Sequence, residues 1–201
     1  MRTAILGGTF DPVHIGHLFM ADEVLARLNY EQIRLVPARV PPHKRDAPGA
    51  NAEHRLRMLE LAVEGHDEFV VDRFEIDQDG VSYTVKTLEH LIDSGTVTGR
   101  PGLIIGEDLV SGFERWREAD RVAELADIIL VRRPGGDGER FGREHRSIEN
   151  LMLEISSTQI RGRVREGLPY RYLVTPAVYD YIRRCGLYVD DEAGRQCEQA
   201  E

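Results

Sequence analysis

The sequence predicts a single α/β domain with a doubly wound, mostly parallel sheet. Short apolar runs suited to buried parallel strands alternate along the chain with stretches whose apolar residues recur at helical spacing. The first run ends in Gly-Gly, then a helical stretch, then a second run, which is the layout of a βαβ unit. The 201 residues are 41% apolar, enough for one good core and marginal for two, and no repeat or linker divides them.

Taken in order, the run over 3–6 is a strand stopped by Gly7-Gly8, and Leu18, Ala21, Val24, Leu25 and Leu28 place a helix over 15–29. A second strand over 33–36 leads into a loop over 37–49 that carries Pro41-Pro42-His43-Lys44. Leu56, Leu59 and Val63 share one stripe of a helix over 52–63, and 69–71 is strand-like. Asp79-Gly80 turns the chain before a helix over 85–92. Strands over 103–105 and 128–131 flank a helix over 119–125, and 134–138 is a glycine-rich loop. The last strand is expected over 151–155 and a helix over 157–165. Thr175-Pro176 supplies an N-cap and an N1 proline to a final helix over 177–185. The domain is assigned to residues 1–189, and the polar segment 190–201 reads as a disordered tail.

The formal charge of −9 gives no global positive field to draw in nucleic acid or an anionic membrane, so an anionic ligand must be met by local groups. Two cysteines, Cys185 and Cys197, are too few for a disulfide framework and lack metal or redox spacing. With no export signal or spanning run, a reduced, cytoplasmic protein is expected. A homo-oligomer is allowed by this composition and not specified by it.

In a sheet of this kind, ligands gather at the carboxyl ends of the strands. Gly7-Gly8-Thr9 stands there, where glycine permits positive φ and close approach of backbone N–H groups to phosphate. His14 and His17, three apart at the start of the first helix, project from one face near its positive end. Imidazoles so placed can donate to charge building on phosphate oxygens as pyrophosphate departs. The segment fits neither G-x-G-x-x-G nor a P-loop. Zinc is disfavoured because no further cysteine or carboxylate groups with the two histidines. A second cluster, Ser156-Ser157-Thr158 followed by Arg161, sets three hydroxyls and a guanidinium at a helix start: an anion clamp, or an ordinary serine cap beside a solvated arginine.

Gly7 to His17, GGTFDPVHIGH, resembles the H-x-G-H signature of the nucleotidylyltransferase superfamily in the form carried by bacterial nicotinate-nucleotide adenylyltransferases. ISSTQIR, residues 155–161, resembles the I-S-S-T-x-I-R segment of the same family. The resemblance spans roughly residues 1–188 and implies a Rossmann-like fold and adenylyl transfer from ATP, with Mg²⁺ carried on the ATP phosphates and no metal held by the protein. It implies that Gly7, Gly8, Thr9, Phe10, His14, His17, Gly106, Asp108, Ser156, Ser157, Thr158, Ile160 and Arg161 meet ATP, with His14, His17, Lys44 and Arg161 carrying catalysis.

The acceptor is a separate question. Pro41-Pro42-His43-Lys44 resembles the family's P-P-H-K loop, where lysine helps neutralise phosphate, and Ser82-Tyr83-Thr84 with Thr87-Leu88 resembles its S-Y-T-x-x-T-L segment, which faces the nicotinate carboxylate. A lone tryptophan usually serves packing, yet Trp116 is flanked by Glu114, Arg115 and Arg117, a poor core environment, and an indole there could stack on a pyridinium ring, as the resemblance implies. Thr9, Lys44, Tyr83, Thr84, Trp116 and Arg133 are thus the implied acceptor contacts, with Arg133 either on a phosphate or solvated. Glu107 departs from the family's G-A-D text. The expected reaction is adenylyl transfer to nicotinate mononucleotide, giving deamido-NAD and pyrophosphate. The alternatives are nicotinamide mononucleotide or another phosphorylated acceptor, such as phosphopantetheine, and a nucleotide-binding module without turnover.

Overall fold

A computed structural model describes residues 1–41, 49–132, 141–149 and 154–189. Six parallel strands, β1 (Thr3–Gly8), β2 (Gln32–Pro37), β3 (Phe69–Val71), β4 (Gly102–Gly106), β5 (Asp127–Arg132) and β6 (Arg146–Glu149), lie in the order β3-β2-β1-β4-β5-β6. The order reverses between β1 and β4, and the crevice outside the carboxyl ends of those two strands is where such a sheet binds ligands.

Period-two alternation explains why the strands read as continuous apolar runs. Ala4, Leu6, Ile33, Leu35, Ile104, Ile129 and Val131 point into one core layer, and Ile5, Val36, Leu103, Ile105, Ile128 and Leu130 into the other. The first layer is closed by α1 (Ile15–Leu28), α2 (Ala52–Val63), α6 (Ser157–Arg165) and α7 (Pro176–Arg184), through Val24, Leu59, Ile160 and Val178. The second is closed by α4 (Thr84–Asp93) and α5 (Ala119–Leu125), through Leu88, Leu91 and Val122. Each such side chain, buried almost completely, contributes about 1.5–3 kcal/mol.

Local signals set the helix ends. The Asn51 side chain accepts the His54 N–H at 2.9 Å to start α2, Thr175 caps α7 ahead of Pro176, and Asn29 ends α1 in the left-handed region at φ 55°. The expected strand over 151–155 is corrected: the sixth strand is β6, while 151–153 lie outside the described residues and Ile155 is not in a strand. In β6 only Ile148 is buried, so this edge strand has no apolar run to announce it. Two further pieces were not expected, the short α3 (Phe74–Asp77) and a 3-10 helix over Glu107–Arg115. Cys185 is buried in the first core layer, and Cys197 lies outside the described residues. The 134–138 loop and the 190–201 tail lie outside the described residues.

Candidate active site

The first motif corrects one expectation at once. β1 continues through both glycines, which pair in register with Val36 and Pro37, and neither has positive φ. The left-handed residue is Phe10, at φ 49°, with its ring 1% exposed in the first core layer. Gly8 gives clearance: a Cβ there would lie a tight 3.0 Å from the Phe10 ring. Gly7, by contrast, has open space where a Cβ would be. A buried aromatic ring thus holds the turn, at a backbone cost that packing offsets.

His14 is the N-cap of α1 and His17 lies three residues on. The His14 backbone N–H donates to His17 Nδ1 at 3.2 Å, and the two rings stack with centroids 3.7 Å apart. The edge of His17 meets Phe10, centroids 5.1 Å apart. Burial lowers the His14 pKa to about 4, so at neutral pH this ring is an uncharged hydrogen-bonding group. Its Nδ1 is buried with no protein partner. Gly16 eases this ring position, because a Cβ there would sit a tight 3.1 Å from His14 Nδ1.

The second motif is bonded directly onto the first. Ser156 caps α6, accepting the Gln159 N–H at 3.2 Å. The Ser157 hydroxyl donates to Pro12 O at 2.9 Å, and Arg161 donates through Nη1 to Asp11 O at 2.7 Å and through Nη2 to the Thr158 hydroxyl at 3.3 Å. The N-termini of α1 and α6, both positive ends, are thereby held side by side. Ile160 departs from expectation: its side chain is fully buried and its N–H is bonded to Ser156 O, so it anchors α6 in the core and offers neither group to a ligand.

Three residues under this loop were not picked out as site residues. Arg55, 4% exposed, donates to four carbonyls: Thr9 O, Ala38 O, Arg39 O and Ala50 O. Burial lowers its pKa, against the opposing pull of Asp11 and Tyr188. Asp11 Oδ1 accepts from the Tyr188 hydroxyl at 2.8 Å and the Ala50 N–H at 3.0 Å. Thr9, Asp11, Arg39, Arg55 and Arg161 line a cavity of about 160 Å³. The signal for Arg55 was available, since it lies one turn before Leu59 on the buried stripe of α2, where a charge demands partners.

Of the residues expected to meet the acceptor, Tyr83 and Trp116 are built on the opposite core layer. Thr84 opens α4 behind Tyr83. The Ser82 N–H donates to Val40 O at 3.1 Å, and the Arg39 N–H donates to the Ser82 hydroxyl at 3.0 Å, which fastens this helix start to the chain leaving β2. Thr87 donates to the Glu75 carboxylate, whose pKa burial raises despite that bond and one from Ser82. Trp116 ends the 3-10 helix with its ring 5.0 Å from that of Phe113, and the Arg117 guanidinium lies 4.8 Å over Tyr83. Tyr83 and Trp116 both pack on the second layer. The pairing Ile5 with Leu103, continued along both strands, brings Gly106 level with Gly8. A Cβ on Gly106 would meet the Asp108 carboxylate at 2.7 Å. Lys44 and Arg133 lie outside the described residues. No helix among the described residues is long and apolar enough to cross a membrane.

The sheet order and the joined motifs have a family. The chain belongs to the cytidylyltransferase-like family, whose sequence model matches residues 5–163. It is 40% identical to a Geobacillus thermodenitrificans protein named "Probable nicotinate-nucleotide adenylyltransferase", over 99% of this chain and 91% of that one. A protein of the same name from Roseiflexus castenholzii is 41% identical over 93% of this chain and 98% of the relative. Within the wider family the chain thus sits with the nicotinate-nucleotide adenylyltransferases. The fold is shared with the Plasmodium falciparum nicotinic acid mononucleotide adenylyltransferase complexed with APC, at a TM-score of 0.72 and 18% identity, covering 93% of this chain and 96% of that one.

Proposed function

We propose that residues 1–189 transfer the adenylyl group of ATP to the phosphate of nicotinate mononucleotide. The acceptor phosphate attacks the α-phosphorus in line, pyrophosphate leaves, and deamido-NAD is released without a covalent enzyme intermediate. The observation that carries this reading is the joining of the two motifs, Ser157 on Pro12 O and Arg161 on Asp11 O, which sets two helix N-termini around one place for phosphate.

The acceptor phosphate is already anionic, so the protein's work is positioning and charge stabilisation. His14, neutral through burial, and His17 donate to the phosphates in flight. Arg161, Ser157 and Thr158 take the departing pyrophosphate, Asp108 and Gly106 face the adenosine portion, and Lys44 serves the acceptor phosphate. Thr84, at the start of α4, meets the nicotinate carboxylate, and Trp116 stacks its ring on the pyridinium. Mg²⁺ supplies charge neutralisation on ATP. In this reading the ion would be held mainly by substrate oxygens. We place the reaction in the cytoplasm, where ATP is at hand.

The test is pyrophosphate release from ATP and Mg²⁺ with nicotinate mononucleotide, nicotinamide mononucleotide and phosphopantetheine in turn. Release is expected to be fastest with the first, and His17→Ala should lower turnover by about 100-fold, the scale of losing a preorganised donor. No release with any acceptor would identify a binding module, and a faster rate with another acceptor would overturn the substrate assignment.

A further inference from the structure

We infer that Asp11 is a positioning residue for Arg161, and that Tyr188, near the far end of the chain, belongs to the same device. The inference rests on the reading that Arg161 meets the phosphates of ATP.

Asp11 is 8% exposed, and each edge of its carboxylate has a separate task. Oδ1 accepts from the Tyr188 hydroxyl at 2.8 Å and the Ala50 N–H at 3.0 Å. Oδ2 lies 3.6 Å from Arg161 Nη1, the nitrogen that also donates to Asp11 O at 2.7 Å. The guanidinium is therefore gripped by both the side chain and the backbone of one residue, with Thr158 on its second terminal nitrogen. An arginine has five N–H donors, so this grip orients the group and leaves donors for a phosphate.

Two further features show that the surroundings are shaped around this carboxylate. A Cβ on Gly49 would stand 2.0 Å from Oδ2, so only glycine admits the chain there. Tyr188 holds a left-handed backbone, φ 67°, a conformation costly for a bulky residue, while its hydroxyl reaches Asp11. Burial, together with the neighbouring Asp11 charge, raises the pKa of that hydroxyl and keeps it a donor. The segment after α7 thus reaches the phosphate site through one hydroxyl and one carboxylate.

Asp11→Asn separates positioning from bulk structure. The amide oxygen can still accept from Tyr188 and Ala50, while its NH₂ replaces Oδ2 and sets a donor against Arg161. In the Asp11→Asn, Arg161→Ala double-mutant cycle, Asp11→Asn alone should lower kcat/KM for ATP by about 10- to 100-fold, the scale of a charge-assisted contact, with acceptor KM within about twofold. In the Arg161→Ala background the same substitution should change kcat/KM by less than about twofold, because the path runs through Arg161. An equal loss in both backgrounds, or an acceptor KM that rises in step, overturns the inference. If Asp11→Asn fails to fold, Tyr188→Phe takes its place in the cycle with the same two criteria. An Arg161→Ala variant with normal ATP kinetics would instead refute the phosphate reading of Arg161, a separate failure.

Discussion

His14 ties stability to pH through a single ring. Its pKa falls from 6.5 to about 4 because the imidazole is buried, with Nδ1 unpartnered and the ring stacked on His17. In the unfolded chain the ring takes its proton near pH 6.5, so as pH falls the unfolded state binds more protons than the folded one and stability drops. The contribution is complete above about pH 6.5, lost on descending toward pH 4, and amounts to about 3 kcal/mol in full and about 2 kcal/mol between pH 7 and pH 5. His14→Asn is the matching perturbation, because asparagine is a good N-cap and keeps the start of α1. Urea unfolding of the ligand-free protein at pH 7 and pH 5 should show the wild type losing about 2 kcal/mol more than the variant over that interval. Parallel losses in the two proteins would refute the claim that folding desolvates this ring.

Gly16→Ala should separate stability from rate: alanine favours the helix by up to about 1 kcal/mol, yet its Cβ would press on His14 at 3.1 Å, so thermal stability should hold while turnover falls about tenfold. Thermal melts and initial rates on one preparation check both halves, and unchanged turnover would show that the ring can move freely. Arg55→Lys cannot bridge Thr9 O, Ala38 O, Arg39 O and Ala50 O, and should cost about 3 kcal/mol in urea unfolding through buried carbonyls left unpaired. A loss under about 0.5 kcal/mol would mean that those carbonyls find other partners.

What was legible in the sequence was whatever repeats or caps. The alternating runs of β1, β4 and β5 and the stripe of α2 are periodic, and the Thr175-Pro176 and Ser156 caps are local, so they needed no tertiary information. β6 escaped because an edge strand with one buried residue has no period to read. The site was legible as two motifs and illegible in how they are joined. Nothing about Asp11 or Tyr188 predicts that residues so far apart in the chain share a hydrogen bond. Of the two glycines singled out for a positive φ, neither uses one, and Gly8 instead makes room for Phe10 in an ordinary backbone conformation, as Gly16, not singled out, does for His14. Clearance of this kind depends on which side chain folds back, which spacing does not encode.

In the proposed reading, the sheet sets the joined phosphate motifs apart from the aromatic contacts of the acceptor. Phe10, Val13 and Ile160, which seat the two ATP motifs, belong to the layer above β1, whereas Tyr83, Phe113 and Trp116 rest on the layer beneath it. Substitutions far apart and without shared partners combine nearly additively. On that reading a lineage could alter the ring contacts of the acceptor by repacking around α4 and α5 while the joined phosphate motifs stayed fixed. Divergence at the acceptor ring then begins on one side of the sheet, with the inherited phosphate chemistry carried along.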